Sequence, residues 1–313
     1  MLTERTYENT FIIVDKTECW VLETAGREWV AKQIKTMQGI SNCYSVGAEI
    51  DCCSPNVESI ARKKRWISPD EPFDFAKAYS GREVRQPLGV QRFRRLNKLL
   101  KEKELHDFDS LSEIMRDHYE GELISPRFGA NCGTFLSICM HMRDWGESET
   151  TASLLARYDE EIGIIARYAP AQPCFSAYIP VYMCGELPEK MQKAERKYDE
   201  KSLWWQMKKL SLLVAADENA FISEVRSKLA LFERNFSEKA EAAEQKAKEM
   251  VRNGERVQGE KILSELTDEC TELLYNLARS ENERLEKMIK DKGGFYGRQK
   301  EVIEKYIEYA QIE

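Results

Sequence analysis

The run Asn9-Thr-Phe-Ile-Ile-Val-Asp-Lys-Thr-Glu-Cys-Trp-Val-Leu-Glu-Thr-Ala-Gly-Arg-Glu-Trp-Val-Ala-Lys-Gln-Ile34, closed by Gly39-Ile-Ser-Asn42, decides how this chain is read. Residues 10–15 and 19–24 are rich in β-branched and aromatic side chains, and only Lys16, Thr17 and Glu18 separate them. Gly26 punctuates the next turn, before a third such segment at 29–34. The pattern predicts an antiparallel meander beginning almost at residue 1. Such a sheet edge calls for strands beside it and a layer over it.

Outward from the meander, residues 55–120 read as helices broken by turns: 57–65, 73–79, 90–101 and 110–119, with a loop at 68–72. Ser110 is placed to cap the last of these, and Glu113 three residues on completes a capping box. Strand patterns resume at 134–141, 150–157, 162–168 and 175–183. Two sets of strands separated by helices predict half or more of a two-sheet sandwich, an α+β fold. From Leu187 the chain turns helical and highly charged. Residues 203–216 carry an apolar stripe, Asp217 or Asn219 can cap a following helix, and Asn253-Gly254 reads as a C-cap. Ile262, Leu266, Cys270, Leu273 and Leu277 repeat at helical spacing until Gly293-Gly294, which predicts a helical hairpin. Its heptads are short, which favours helices laid against a sandwich over a partner-binding coiled coil.

The pattern Asp15-x-x-Glu18-x-Trp20-Val-Leu-Glu23-Thr-Ala-Gly26, with Trp29-Val-Ala-Lys32 and Ile40-Ser-Asn42, resembles the secernin and dipeptidase branch of the N-terminal nucleophile (Ntn) cysteine hydrolases. Phe73-Asp-Phe-Ala76, Arg92-Phe93, Ser137-Ile-Cys-Met-His141, Thr150-Thr-Ala-Ser153, Pro173-Cys174, Tyr178-Ile-Pro-Val-Tyr182 and Leu203-Trp-Trp205 follow in the family's order. The resemblance implies a four-layer αββα sandwich in which a cysteine, freed as the first residue of the mature chain, attacks an amide carbonyl with its own α-amino group as base. That nucleophile belongs well upstream of the hairpin, whereas Met1-Leu2-Thr3 stands just before it here. The expectation is therefore a partial Ntn sandwich over residues 1–186, incomplete at its N-terminus, with a helical region over 187–313 packed on it. Such a chain lacks the nucleophile and is inactive alone.

The same resemblance implies the site residues. Asn42 would donate its side-chain amide to substrate or oxyanion, and Arg92 would stabilise the thiolate or a substrate carboxylate. The residues themselves also allow plainer uses: a turn asparagine bonded to its own backbone, and a helix-face arginine in an ion pair. Arg94 or Arg95 can equally occupy the arginine's role. The implied substrate is a small peptide or amide. Acyl transfer within the same superfamily, or a non-catalytic interaction protein on the same scaffold, are the alternatives, and a complementing upstream fragment or a homo-oligomer is the partner that an uncovered meander edge would need.

Composition narrows the classes further. The 313 residues are 42% hydrophobic and 10% aromatic, enough for a sizeable core. A net charge of −7 and a pI near 5.4 argue against a nucleic-acid partner, despite basic runs at 62–65 and 92–95. There is no signal peptide and no apolar run of membrane-spanning length, so a cytoplasmic protein without a membrane partner is expected. Nine irregularly spaced cysteines fit a reducing compartment, and without a Cys-x-x-Cys pair no metal site is predicted. No cofactor is predicted, since no phosphate-binding glycine motif is present. His141, Ser153 and Asp144 can be sketched as a triad, yet no Gly-x-Ser-x-Gly elbow exists. Cys139 and His141 would share a strand face, with Cys139 read as a buried core cysteine. Glu18 and Glu23, five apart, are read as structural rather than as paired catalytic carboxylates.

Overall fold

The computed structural model describes residues 8–80, 87–122, 137–142, 145, 148–295 and 300–312. It is a mixed α+β protein, and among the described residues there are two antiparallel sheets, of four and three strands. The chain divides into two compact units, Met1–Leu105 and His106–Glu313. No helix among the described residues is long and apolar enough to cross a membrane.

In the first unit, β1 (Thr10–Val14), β2 (Cys19–Ala25) and β3 (Glu28–Gln33) form the predicted meander, and a two-residue strand, β4 (Cys52–Cys53), joins beside β3. Local chemistry makes both turns. The Asp15 carboxylate accepts from the backbone N–H groups of Thr17 and Glu18, an Asx-type turn. Gly26 supplies the left-handed φ of 62° that lets Ala25 pair with Glu28. Val21 and Val30 face inward onto Val46, Val57, Ala61, Phe75 and Tyr79, from the loop and from α1 (Val57–Lys63) and α2 (Phe75–Tyr79). Glu23 is fully buried on that face, accepting from Ser45 N and Oγ, each at 2.7 Å, and from Val46 N at 3.1 Å. It fastens the 40s segment onto β2. α3 (Pro87–Leu100) completes the unit.

The second unit opens with α4 (Phe108–Met115). Its cap is Asp107, not Ser110. The Asp107 side chain accepts from Ser110 N at 2.8 Å while Ser110 Oγ accepts from Asp107 N at 3.0 Å, so Ser110 closes the capping box from inside the helix. β5 (Ala152–Asp159), β6 (Gly163–Pro170) and β7 (Ile179–Tyr182) pair in that order. The last strand is shorter than predicted because Pro173–Phe175 winds into a 3₁₀ turn. The strand expected at 134–141 is not seen: residues 137–142 are bends and coil, and 134–136 lie outside the described residues.

After the short α5 (Glu189–Gln192), the predicted helical region is α6 (Leu203–Ala216), α7 (Glu218–Arg252), α8 (Arg256–Asp291) and α9 (Lys300–Ala310). Asp217 caps α7 through Ala220 N, and Gly254, at φ 84°, turns α7 into α8. The hairpin is pinched at Gly259, where a Cβ would lie 3.0 Å from the Ala247 carbonyl oxygen. Helix and sheet share one core: Ile165, Ile179 and Val181 pack with Met207, Phe236 and Leu274. The division expected after residue 186 thus runs through this core, and the boundary between units falls at 105/106 instead.

Candidate functional site

Asn42 and Arg92, fifty residues apart, meet in the first unit. Two glycines stand at the approach. A Cβ on Gly89 would sit 2.3 Å from the Asn42 carbonyl oxygen, so α3 can lie against the 39–42 backbone only with glycine there, and one on Gly39 would sit 2.5 Å from the Leu96 side chain, which would have to shift. Asn97 holds the contact, accepting from Gly39 N at 3.0 Å and donating to Gly39 O at 3.2 Å. One turn after Gly89, the buried Arg92 donates from Nη2 to Asn42 Oδ1 at 2.7 Å. The Asn42 amide is thereby oriented, with Nδ2 as its donor group. Arg94 is exposed and Arg95 buried on the same helix. The neighbouring Cys43 is no ready nucleophile: burial and the Glu23 charge push its thiol up, against the lowering influence of Arg92.

The sketched serine triad does not form. Ser153 is buried in β5, where the Tyr178 hydroxyl is 2.6 Å from its Oγ, and Asp144 lies outside the described residues. His141 instead belongs to a buried cluster with His118, Cys139 and Cys174, whose ligand-type atoms all lie within 4.8 Å of one another.

Three separate segments build that cluster. His118 follows the end of α4, in a tight turn in which Tyr119 adopts φ 64° and Tyr119 N donates to Asp117 Oδ2. Cys139 N donates to Asp117 O at 3.3 Å, and Met140 exchanges two hydrogen bonds with Thr150, which together seat Cys139 and His141. Cys174 rides on the 3₁₀ turn, clamped by Arg116: Nε donates to Pro173 O at 2.8 Å, Nη2 to Ser176 O at 3.2 Å, and the guanidinium pairs with Glu233 of α7. His118 Nε2 lies 3.1 Å from His141 Nε2, which lies 3.1 Å from Cys174 Sγ and 3.7 Å from Cys139 Sγ. None of the four residues is more than 5% exposed.

Glu120 stands behind His118, 3.3 Å from Nδ1, and also accepts from the His118 backbone N–H at 2.6 Å. Burial works against a charged His118, yet hydrogen bonds with Cys139 and Glu120 outweigh it and raise the imidazole to about 9. Burial likewise opposes ionised Cys139, yet Cys174, His141 and His118 bring its thiol well below the ordinary range. The environment favours negative charge on sulfur. On its other side His141 borders a cavity of about 30 Å³ that also touches Glu149, Gln172, Lys208 and Tyr306, space for water rather than for a substrate.

Spacing rules missed this cluster because its ligands arrive singly or two apart, over 57 residues of sequence. The one local signal was Cys139-x-His141. Compared with models of known protein families, the chain matches none.

Proposed function

We propose that the chain is an αββα scaffold for amide-bond chemistry of the secernin and dipeptidase kind, in which Asn42 and Arg92 bind the reacting carbonyl. The observation that carries this reading is the 2.7 Å hydrogen bond from Arg92 to Asn42 Oδ1. An amide donor stabilises an oxyanion only if Nδ2 is aimed beforehand, and a buried, permanently charged guanidinium on Oδ1 fixes that aim. Attack on the carbonyl carbon breaks its π bond and places negative charge on oxygen, where Asn42 Nδ2 donates. Collapse then expels the amine, which carries off the proton that the nucleophile's α-amino group took from the thiol, and leaves an acyl-enzyme that water or a second amine resolves. In this reading the attacking thiolate comes from another polypeptide segment, since Cys43 is held as a thiol.

The test is binding before turnover. Isothermal titration of the full chain with an N-acetylated dipeptide should give a measurable affinity that Asn42→Ala and Arg92→Lys each weaken several-fold. Unchanged affinity in both variants removes Asn42 and Arg92 from the reading.

A further inference from the structure

We propose that His118, Cys139, His141 and Cys174 are the four ligands of a tetrahedral zinc ion that ties three segments of the second unit together. This site is separate from the pair that the amide-bond reading invokes, Asn42 and Arg92. The first argument is metric. Zinc–nitrogen bonds of ~2.0–2.1 Å and zinc–sulfur bonds of ~2.3 Å place tetrahedral ligands ~3.3 Å apart for two nitrogens and ~3.6 Å apart for nitrogen and sulfur. The two imidazole Nε2 atoms are 3.1 Å apart, and His141 Nε2 is 3.1 and 3.7 Å from the two sulfurs. Three of the six edges of a zinc tetrahedron, those meeting at His141 Nε2, are thus already close to length, and all four ligand atoms lie within 4.8 Å of one another.

The second argument is valence. His141 Nε2 offers one lone pair or one proton. Three polar atoms nonetheless converge on it in a buried space. One hydrogen bond accounts for one of them. A cation at the centre of the four atoms accounts for all, because each donor then points its lone pair at the ion rather than at its neighbour.

The third argument is the support behind the ligands. Glu120 lies 3.3 Å from His118 Nδ1, placed to accept from it, while Nε2 is the nitrogen that faces the other ligands; this is the carboxylate–histidine arrangement that orients metal-bound imidazoles. Arg116 anchors the Cys174 turn, and the Asp117 carbonyl anchors Cys139. Two thiolates with two imidazoles in a tetrahedron select zinc over calcium or magnesium, which demand oxygen ligands. With all four positions taken by protein, the ion is structural rather than hydrolytic. It closes the gap between the end of α4, residues 139–141 and the turn before β7.

The experiment uses the full chain, reduced and stripped with a chelator, then titrated with cobalt(II) and back-titrated with zinc. The wild type should take up a single ion with tetrahedral d–d bands and a thiolate charge-transfer band, both abolished by zinc. X-ray absorption of the zinc form should show two sulfur and two nitrogen neighbours. Cys174→Ser should weaken binding at least ~100-fold, and Glu120→Gln should keep the stoichiometry while weakening affinity ~10–100-fold. Replacing the exposed pair, Cys52→Ser with Cys53→Ser, should change nothing. Octahedral cobalt spectra, sub-stoichiometric uptake by folded wild type, or a Cys174→Ser chain that binds as the wild type does would each overturn the assignment. The wild-type titration decides even if a ligand variant fails to fold.

Discussion

β1 and β7 are both short apolar strands at the edge of an antiparallel sheet, and they meet opposite fates. Phe11, Ile12, Ile13 and Val14 are 46–65% exposed, whereas all four residues of β7 are buried. α7 and α8 lie on β7, and Pro180 removes one donor from its edge. β1 has no proline and no charge within it. Asn9 O and Asp15 N bond towards β2, so the alternate residues Thr10, Ile12 and Val14 turn their backbone groups to the other side, where no described strand pairs with them. Hydrophobicity made both segments strands. Only the layer laid over them decided which became core.

The sharpest way to break this comparison is to damage that layer. Phe236, in α7, is 1% exposed, and Phe236→Ala should cost the second unit ~3–5 kcal/mol in urea unfolding. A loss below ~1 kcal/mol would mean that the sheet holds itself. In the first unit the exposed Asn42 is held by the buried Arg92, and there the expected effect is on rate. If a segment bearing an N-terminal cysteine restores turnover, Asn42→Ala should lower kcat ~100-fold at nearly unchanged stability. Equal kcat would make Asn42 a turn residue.

A smaller effect is expected at the bare edge itself. Light scattering after size exclusion should show concentration-dependent self-association of the chain, and Ile12→Lys should suppress it while changing stability by less than ~0.5 kcal/mol, as at other surface sites. A strictly monomeric wild type at high concentration would show that β1 needs no partner. The slightest effect concerns Glu23. Burial pushes its carboxyl up, outweighing the lowering by Ser45 and Val46, so the folded state binds its proton more tightly than the unfolded state does. That contribution to stability is fully present below the unfolded carboxylate value and is lost as pH rises through the raised folded one. Denaturation of Glu23→Gln across that window should lack this slope, and an identical pH profile would place the titration elsewhere.

Local chemistry explains what could be read in advance. The meander was legible because Asp15 and Gly26 write their turns into the sequence, and the long hairpin because Asp217 and Gly254 mark its ends. Its helices do lie against a sheet. What stayed hidden depends on distant partners. Residues 137–141 alternate like a strand, but Asp117 and Thr150 hold that segment in a bend. Asp107 took the cap from Ser110 by bonding across three residues, a choice that pattern alone does not separate. The four-residue cluster was invisible because its members gain meaning only when α4 and the turn before β7 are brought side by side.

Arg116 shows what such long reach means in time. Its partners lie 57, 60 and 117 residues further along the chain, and Leu274, a fully buried part of the same core, comes about 90 residues after the end of β7. At ~5–20 residues per second of synthesis, the three-stranded sheet waits ~5–18 seconds on the ribosome before its cover is made. During that interval β7 lacks the cover that α8 gives it in the folded chain, and its apolar residues stand open as those of β1 do.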